Sequence, residues 1–568
     1  MPSPPEPEVP QSEPAEDPAD ASAAGAGYAL DEIAARAAAA RAHSVALAGM
    51  ANHTAARPVW DFNHVLAYGQ SLSSGWEGWP ALSVTQRHDS LMIGASVHGA
   101  SENKPAWTPI GEAAFRPLVA TVVSNGQQAE VLAPEAVAAL KPGTAALGET
   151  VLEGALDHWR GRQLAAGPGH PSGRFVATTC GVGGRTIEQL SLGAGAFNRL
   201  RMAAASGRQL AEAQARSYGI AAVLWLQGEG NSVGGGTADR AEYLKLCATL
   251  QADINREVAG GIAGQDRPPA IFTHQVGGIY VRDANELSIP MAQLDCAFSL
   301  PDWFMAAPAY PVTEKGGHLD ANGYRWLGQQ FGKVMHRVLD LGQGWQPLHP
   351  LRATWRGTQV LVEFHVPHPP LAFSPCYVRT RATSYPDGGF SVTDESGRIA
   401  IAAAAVVEET CVLLVLARAP GANPVLWYAD QTVHRGYGNL RDSDPTEASQ
   451  AYEYHPGSGQ YPGAEIAELV GRPYPLWNWC VAFRTPLAAD PAPPPAPVQV
   501  LATPQAPAAA PPSAPAPAPE PAPQVSATPA WQVLRGEIPP PAPPAAAPPP
   551  AAPSSGIAAW LRRIFGAD

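Results

Sequence analysis

The chain has 568 residues, 61 of them proline, and 37 Lys and Arg against 50 Asp and Glu give a formal net charge of −13. It has no basic block with interleaved aromatics, so the composition argues against nucleic-acid binding, and no apolar run approaches the roughly eighteen residues of a membrane span. Six cysteines without a close CxxC pair argue against a disulfide scaffold or a zinc ribbon.

In chain order, residues 1–27 read as a disordered tail, because the first twenty hold 7 prolines, six acids and no base. That opening, without a basic region followed by an apolar core, gives no recognisable signal peptide. Localisation is left open, and an extracytoplasmic or surface role would need an unidentified route. Residues 28–50 contain an Ala-rich stretch from Leu30 to about Leu47 that predicts a helix. Within 51–345, short apolar runs at Val65–Tyr68, Leu118–Ser124, Phe175–Thr179, Ala221–Leu226 and Ala270–Thr273 predict strands. Helical patterns at Pro134–Leu140, Phe197–Ala215, Ala238–Val258 and Gly323–Leu339 lie between or after them. This alternation predicts βαβ units and a parallel sheet covered on both faces.

Residues 346–490 change texture. Val360–Val366, Phe390–Thr393, Ile399–Ala405, Thr410–Ala417 and Trp479–Phe483 are short and β-leaning, and predict a β-rich accessory domain. Residues 491–553 carry 24 prolines in a Pro/Ala-rich linker with polyproline II character. In 554–568, Ile557–Phe565 has the makings of a short amphipathic segment that could dock on a protein or surface partner, against the plainer reading of an unstructured tail.

Four places put glycine beside reactive polar residues after predicted strands. Ser71 in Gly69-Gln70-Ser71 can be presented at a sheet edge, with its backbone N–H towards a developing oxyanion, although alone it could be an ordinary helix cap. Cys180-Gly181-Val182-Gly183-Gly184-Arg185 matches neither GxGxxG nor GxxxxGK[ST], so a glycine-lined oxyanion hole fits it better than a phosphate loop. Cys180 itself, ending an apolar run, reads as a buried thiol. Gln227, Glu229 and Asn231 form a polar cluster directly after the Ala221–Leu226 run, where burial without a role would be costly. His318 precedes a helix and is the expected base for a serine hydroxyl. No HExxH or compact His/Cys cluster points to a metal.

Taken in order, Gly69-Gln70-Ser71, Gly183-Gly184-Arg185-Thr186-Ile187, Trp225-Leu226-Gln227-Gly228-Glu229 and His318-Leu319 resemble the SGNH-type hydrolases, in particular the branch containing sialate O-acetylesterases and acetylxylan esterases. The resemblance covers roughly residues 60–340. It implies a three-layer α/β/α flavodoxin-like domain that removes acetyl groups from carbohydrate, with no cofactor and no metal. It also implies Ser71 as nucleophile and His318 as general base. The oxyanion hole would comprise the Ser71 N–H, Gly184 (Gly183 as runner-up) and Gln227, with Glu229 and Asn231 supporting the site.

One departure stands out. The family usually places the triad acid three residues before the histidine, and here that position is Lys315, which cannot accept the imidazole N–H. Glu314, Asp302 or a backbone carbonyl could orient the ring instead, or a Ser–His dyad could operate. Asn231 also stands where aspartate is common. The alternative is a catalytically degenerate carbohydrate-binding or structural surface protein. Trp427, Tyr428, Tyr437, Tyr452, Tyr454, Tyr474, Trp477 and Trp479 would then either stack on sugars or fill a core.

Overall fold

Strand β1 (Phe62–Gly69) is buried along its whole length, as a strand covered on both faces must be. Its side chains alternate between two cores. Val65 and Ala67 pack on one side with Trp159, Leu327 and Phe331, and Leu66 and Tyr68 pack on the other with Leu200, Tyr243 and Leu250. The chain is seen here as a computed structural model that describes residues 27–50, 53–101, 104–141, 143–167 and 173–490. The acidic tail up to residue 26, the Pro/Ala segment and Ile557–Phe565 lie outside the described residues.

With β2 (Leu91–Ile93), β3 (Phe115–Pro117), β4 (Arg174–Thr179), β5 (Tyr218–Leu226), β6 (Ala270–Gln275) and β7 (Trp303–Pro308), β1 builds a seven-stranded sheet in the order β3-β2-β4-β1-β5-β6-β7. Only the edge strand β3 runs antiparallel to its neighbour. The five strands β1, β4, β5, β6 and β7 follow the flavodoxin-like order. The direction of winding reverses beside β1, and in such sheets that reversal opens a crevice at the carboxyl ends of the strands.

Helices cover both faces. On one side α1 (Val151–Ala165) packs on the Ala321–Met335 helix, and on the other lie α2 (Phe197–Glu212), α3 (Arg240–Asp253) and α4 (Ser288–Ser299). The Ala321–Met335 helix is α5. The expected three-layer α/β/α arrangement is therefore present. Helix α1 opens on a capping box in which Thr150 and Glu153 satisfy each other's end of the first turn.

Three expectations need correction. The Leu118–Ser124 run is not a strand of the main sheet: only Val123–Ser124 is extended, pairing with Ala146–Leu147. Pro117, which has no N–H, ends the edge strand just before that run. Ile399–Ala405 is divided between two sheets, with Gly397–Ile399 in one and Ile401–Val407 in the other. Most of Trp479–Phe483 precedes its strand, which is Phe483–Pro486.

The β-rich region forms a five-stranded and a four-stranded sheet around a common core. Val360, Val362, Val412 and Leu414 face Val392, Leu426, Tyr428 and Phe483 there. Tyr310, Leu287 and Met291 from the α/β part enter the same core, and all described residues fall in one compact unit. The helix predicted from Leu30 to about Leu47 forms over Leu30–Gly49 and docks on this region. Arg36 pairs with Glu32 and with Asp490, and Thr410 Oγ1 donates to Ala37 O at 3.0 Å. Of the eight aromatics named above, Tyr428, Tyr437, Tyr452, Tyr474 and Trp479 are buried, so they fill a core and do not form an exposed stacking row.

Candidate active site

The carboxyl ends of β1, β4 and β5 and the segment after β7 bring the motif residues to one edge of the sheet. After β1 the chain turns sharply at Gly69. There φ is +142° and any Cβ would lie 2.0 Å from the Leu226 carbonyl of the adjoining strand, so only glycine fits. Ser71 then opens a short 3₁₀ turn to Ser74. The Gly181 loop lies directly against this turn, since a Cβ on Gly181 would fall 1.9 Å from Ser73 Oγ.

Ser71 Oγ lies 2.8 Å from His318 Nε2, a hydrogen bond between residues from opposite ends of the α/β part. His318 is held by a tight loop. Lys315 N donates to His318 O at 2.7 Å, and Asp320 caps α5 by accepting from Gly323 N at 2.7 Å and from Thr313 Oγ1 at 2.7 Å.

The carboxylate beside the other imidazole nitrogen belongs to Glu77, whose Oε2 is 3.7 Å from His318 Nδ1. The His318 imidazole it faces holds the Glu77 carboxyl below its ordinary range, with burial acting in the opposite sense. Glu77 is fixed on three sides. Its N–H donates to Ala146 O at 3.0 Å, its Oε1 accepts from Gly143 N at 2.7 Å, and its carbonyl accepts from Lys315 Nζ at 2.7 Å. Its φ of +61° is unusual for a side chain of this size and costs roughly 1–2 kcal/mol; strain of this kind concentrates at functional sites.

Lys315, the departure from the family pattern, therefore sits behind this carboxylate. Its ammonium also donates to Trp79 O at 2.9 Å and lies 3.8 Å from the centre of the Trp79 ring. Burial pushes it down to about 8.

Neither acid considered from the sequence faces the imidazole. Glu314 spends its carboxylate on the N–H groups of Gly316, Gly317 and Arg379 and on the Tyr437 hydroxyl. Asp302 lies at the opposite end of the sheet, just before β7, where it holds Thr54 and Ala55. Glu77 was missed because its only local signal is a carboxylate between Gly75 and Gly78, six residues beyond Ser71.

Among the described residues, neither the Ser71 N–H nor the Gly184 N–H has a protein acceptor. Gly184 has φ +68°, in open space. Gln227 is placed differently from expectation. It is fully buried, and its Nε2 donates to Asn231 Oδ1 at 2.7 Å and lies 3.3 Å from Arg185 O. Its Oε1 accepts from the Tyr243 hydroxyl at 2.7 Å. With both amide hydrogens engaged, Gln227 braces the loops beneath the site and offers no free donor to an oxyanion.

Asn231 joins the same network, accepting from Ile187 N at 3.0 Å and donating to Glu188 Oε2 at 3.1 Å. Glu229 pairs with buried His274, Oε1 to Nε2 at 2.7 Å, a partner that sequence reasoning did not identify. Cys180 is buried and its thiol is pushed up to about 12, as a structural cysteine requires.

No family model matches the chain, and no curated protein does. Among solved structures, it is similar to XAC1771, described as a carbohydrate acetylesterase from Xanthomonas citri, at 15% identity and a TM-score of 0.41, covering 74% of this chain and 80% of that one. NanS is similar at 10% identity and a TM-score of 0.32, covering 50% and 99%. Est24, described as a carbohydrate acetylesterase from Sinorhizobium meliloti, is similar at 13% identity and a TM-score of 0.27, covering 49% and 99%. The α/β/α assignment stands on the strand order and register of this chain itself.

Proposed function

We propose that the chain is a serine ester hydrolase that removes O-acetyl groups from carbohydrate through an acyl-enzyme. The observation that carries this reading is the 2.8 Å contact between Ser71 Oγ and His318 Nε2 at the carboxyl edge of the sheet. Glu77 behind the imidazole supports it, and so does the ordered motif set.

In the first step Ser71 Oγ attacks the acetyl carbonyl carbon while its proton passes to His318 Nε2. The carbonyl oxygen becomes an oxyanion, which the Ser71 and Gly184 N–H groups receive. Collapse of this intermediate breaks the bond to the sugar oxygen, and the imidazolium returns the proton to that oxygen. Water then attacks the acetyl-serine with His318 again as base, releasing acetate and restoring Ser71. Glu77 keeps the imidazole in the tautomer with its proton on Nδ1 and stabilises the imidazolium formed in each half-reaction. Lys315, bound to the Glu77 and Trp79 carbonyls, braces the acid.

The test is hydrolysis of p-nitrophenyl acetate and of an O-acetylated sugar by the intact chain and by Ser71→Ala. The expected loss is about 10⁴-fold or more. Equal rates would rule the mechanism out.

A further inference from the structure

A cavity of about 700 Å³ opens beside the His318 loop, between that loop and the β-rich region, and the chemistry above leaves it unused. Its lining includes Arg379, Arg381, Arg435 and Lys315 on one side of the charge balance and Glu314 alone on the other. The Glu314 carboxylate accepts from the backbone N–H groups of Gly316, Gly317 and Arg379 and from the Tyr437 hydroxyl, and makes no ion pair with a guanidinium among the described residues. Among the described residues, none of the three arginine side chains makes an ion pair or a hydrogen bond. Elsewhere in the chain Arg36, Arg160, Arg325 and Arg418 all engage carboxylates. Three exposed and uncommitted guanidinium groups thus share one concavity in a chain of net charge −13.

Two backbone features sharpen the point. Arg379 and Arg435 both hold left-handed conformations, φ +57° and +56°, where glycine would be less strained. Arg379 also reaches the catalytic loop, because a Cβ on Gly316 would lie 3.4 Å from its Nη2. A second, smaller cavity, lined by Leu72 next to the serine, shares Ile279, Glu314 and Tyr437 with the first. The arginine-lined space thus borders the His318 loop through Glu314 and Lys315.

We infer that this cavity is a subsite for an anionic group, a carboxylate or a sulfate, carried by the glycan whose ester is cleaved at Ser71. Planar guanidinium groups present paired N–H donors to such oxyanions. An acidic residue of the chain would seat there while a neighbouring acetylated sugar lies at Ser71. This inference rests on the esterase reading for its substrate, but not for its binding site.

The test uses the full chain in two arms. In the first, Ser71→Ala is titrated by calorimetry with oligogalacturonide, with its carboxyl-reduced neutral counterpart and with a sulfated galactan oligosaccharide. Binding of one or both anionic oligomers but not the neutral one is expected, weakened at least tenfold by Arg379→Gln or Arg435→Gln. Preference for the carboxylated or the sulfated ligand identifies the group. Equal binding of the neutral oligomer, or no binding by any, overturns the subsite.

In the second arm, the otherwise wild-type chain and the two arginine variants are assayed on p-nitrophenyl acetate and on acetylated oligogalacturonide or acetylated sulfated galactan, whichever the first arm selects. The variants are expected to keep the p-nitrophenyl acetate rate and to lose at least tenfold in kcat/KM on the anionic ester. Unchanged kcat/KM on that ester overturns the subsite. No hydrolysis of any ester by the wild-type chain overturns the esterase reading, while calorimetry still decides the subsite.

Discussion

Lys315 donates to the carbonyl oxygen of Glu77 at 2.7 Å, so the residue standing where an acid would be expected braces, from behind, the carboxylate that faces His318. A lysine that first reads as a defect thus fits a site in which the acid comes from another part of the chain. The pair also explains how a Glu at φ +61° is kept in place: its N–H, its carbonyl and one carboxylate oxygen are all bound.

If Glu77 orients His318, Glu77→Gln should lower kcat on p-nitrophenyl acetate by about 10²–10⁴-fold with little change in KM. Asp302→Asn, at the far end of the sheet, should lower thermal stability through its contacts with Thr54 and Ala55 and leave kcat within about twofold. Steady-state kinetics beside a melting curve for each variant separates the two. A similar fall in kcat for both would remove Glu77 from its assigned role.

Lys315→Met removes two hydrogen bonds and leaves the Glu77 and Trp79 carbonyls without their donor, at about 1–3 kcal/mol for each buried group left unsatisfied. The expected result is a lower Tm together with a fall in kcat of about tenfold, smaller than that of Glu77→Gln because the carboxylate itself remains. Wild-type kcat in a folded Lys315→Met protein would show that Glu77 needs no brace.

The buried carboxyls of α1 predict a pH dependence of stability. Burial raises Glu153, with Glu149 adding to the effect, and pushes Asp157 up to about 7. Groups raised in the folded state hold protons that the unfolded chain has already lost. Their stabilising contribution is therefore full below the ordinary carboxylate range and is lost as pH rises towards the folded values. Glu153→Gln retains the residue type that a capping box accepts. Its Tm relative to wild type should rise between pH 5 and pH 8, and a Tm difference independent of pH would contradict the burial argument.

Much of the fold was legible because its strands are apolar runs of the length a doubly covered parallel sheet requires, as at Ala221–Leu226. Helix α1 was not, since Glu153, Asp157, His158 and Arg160 are buried in it and interrupt the apolar face that periodicity seeks. Ser71 stood out through its glycine-rich setting after a predicted strand, and His318 through its own just before a predicted helix. Glu77 could not, because its approach to His318 depends on a left-handed turn and on long-range packing that no local spacing encodes. Gln227 was located from its motif, but the direction of its amide is set by Asn231, Arg185 and Tyr243, which only the folded chain brings together.

The most direct test of the nucleophile is covalent labelling. The intact chain treated with an alkyl fluorophosphonate should gain one adduct, mapped to Ser71 by peptide mass spectrometry, with parallel loss of p-nitrophenyl acetate hydrolysis. Glu77→Gln should slow the labelling, and Ser71→Ala should abolish it. Labelling at another residue, or esterase activity that survives complete modification of Ser71, would contradict the assignment.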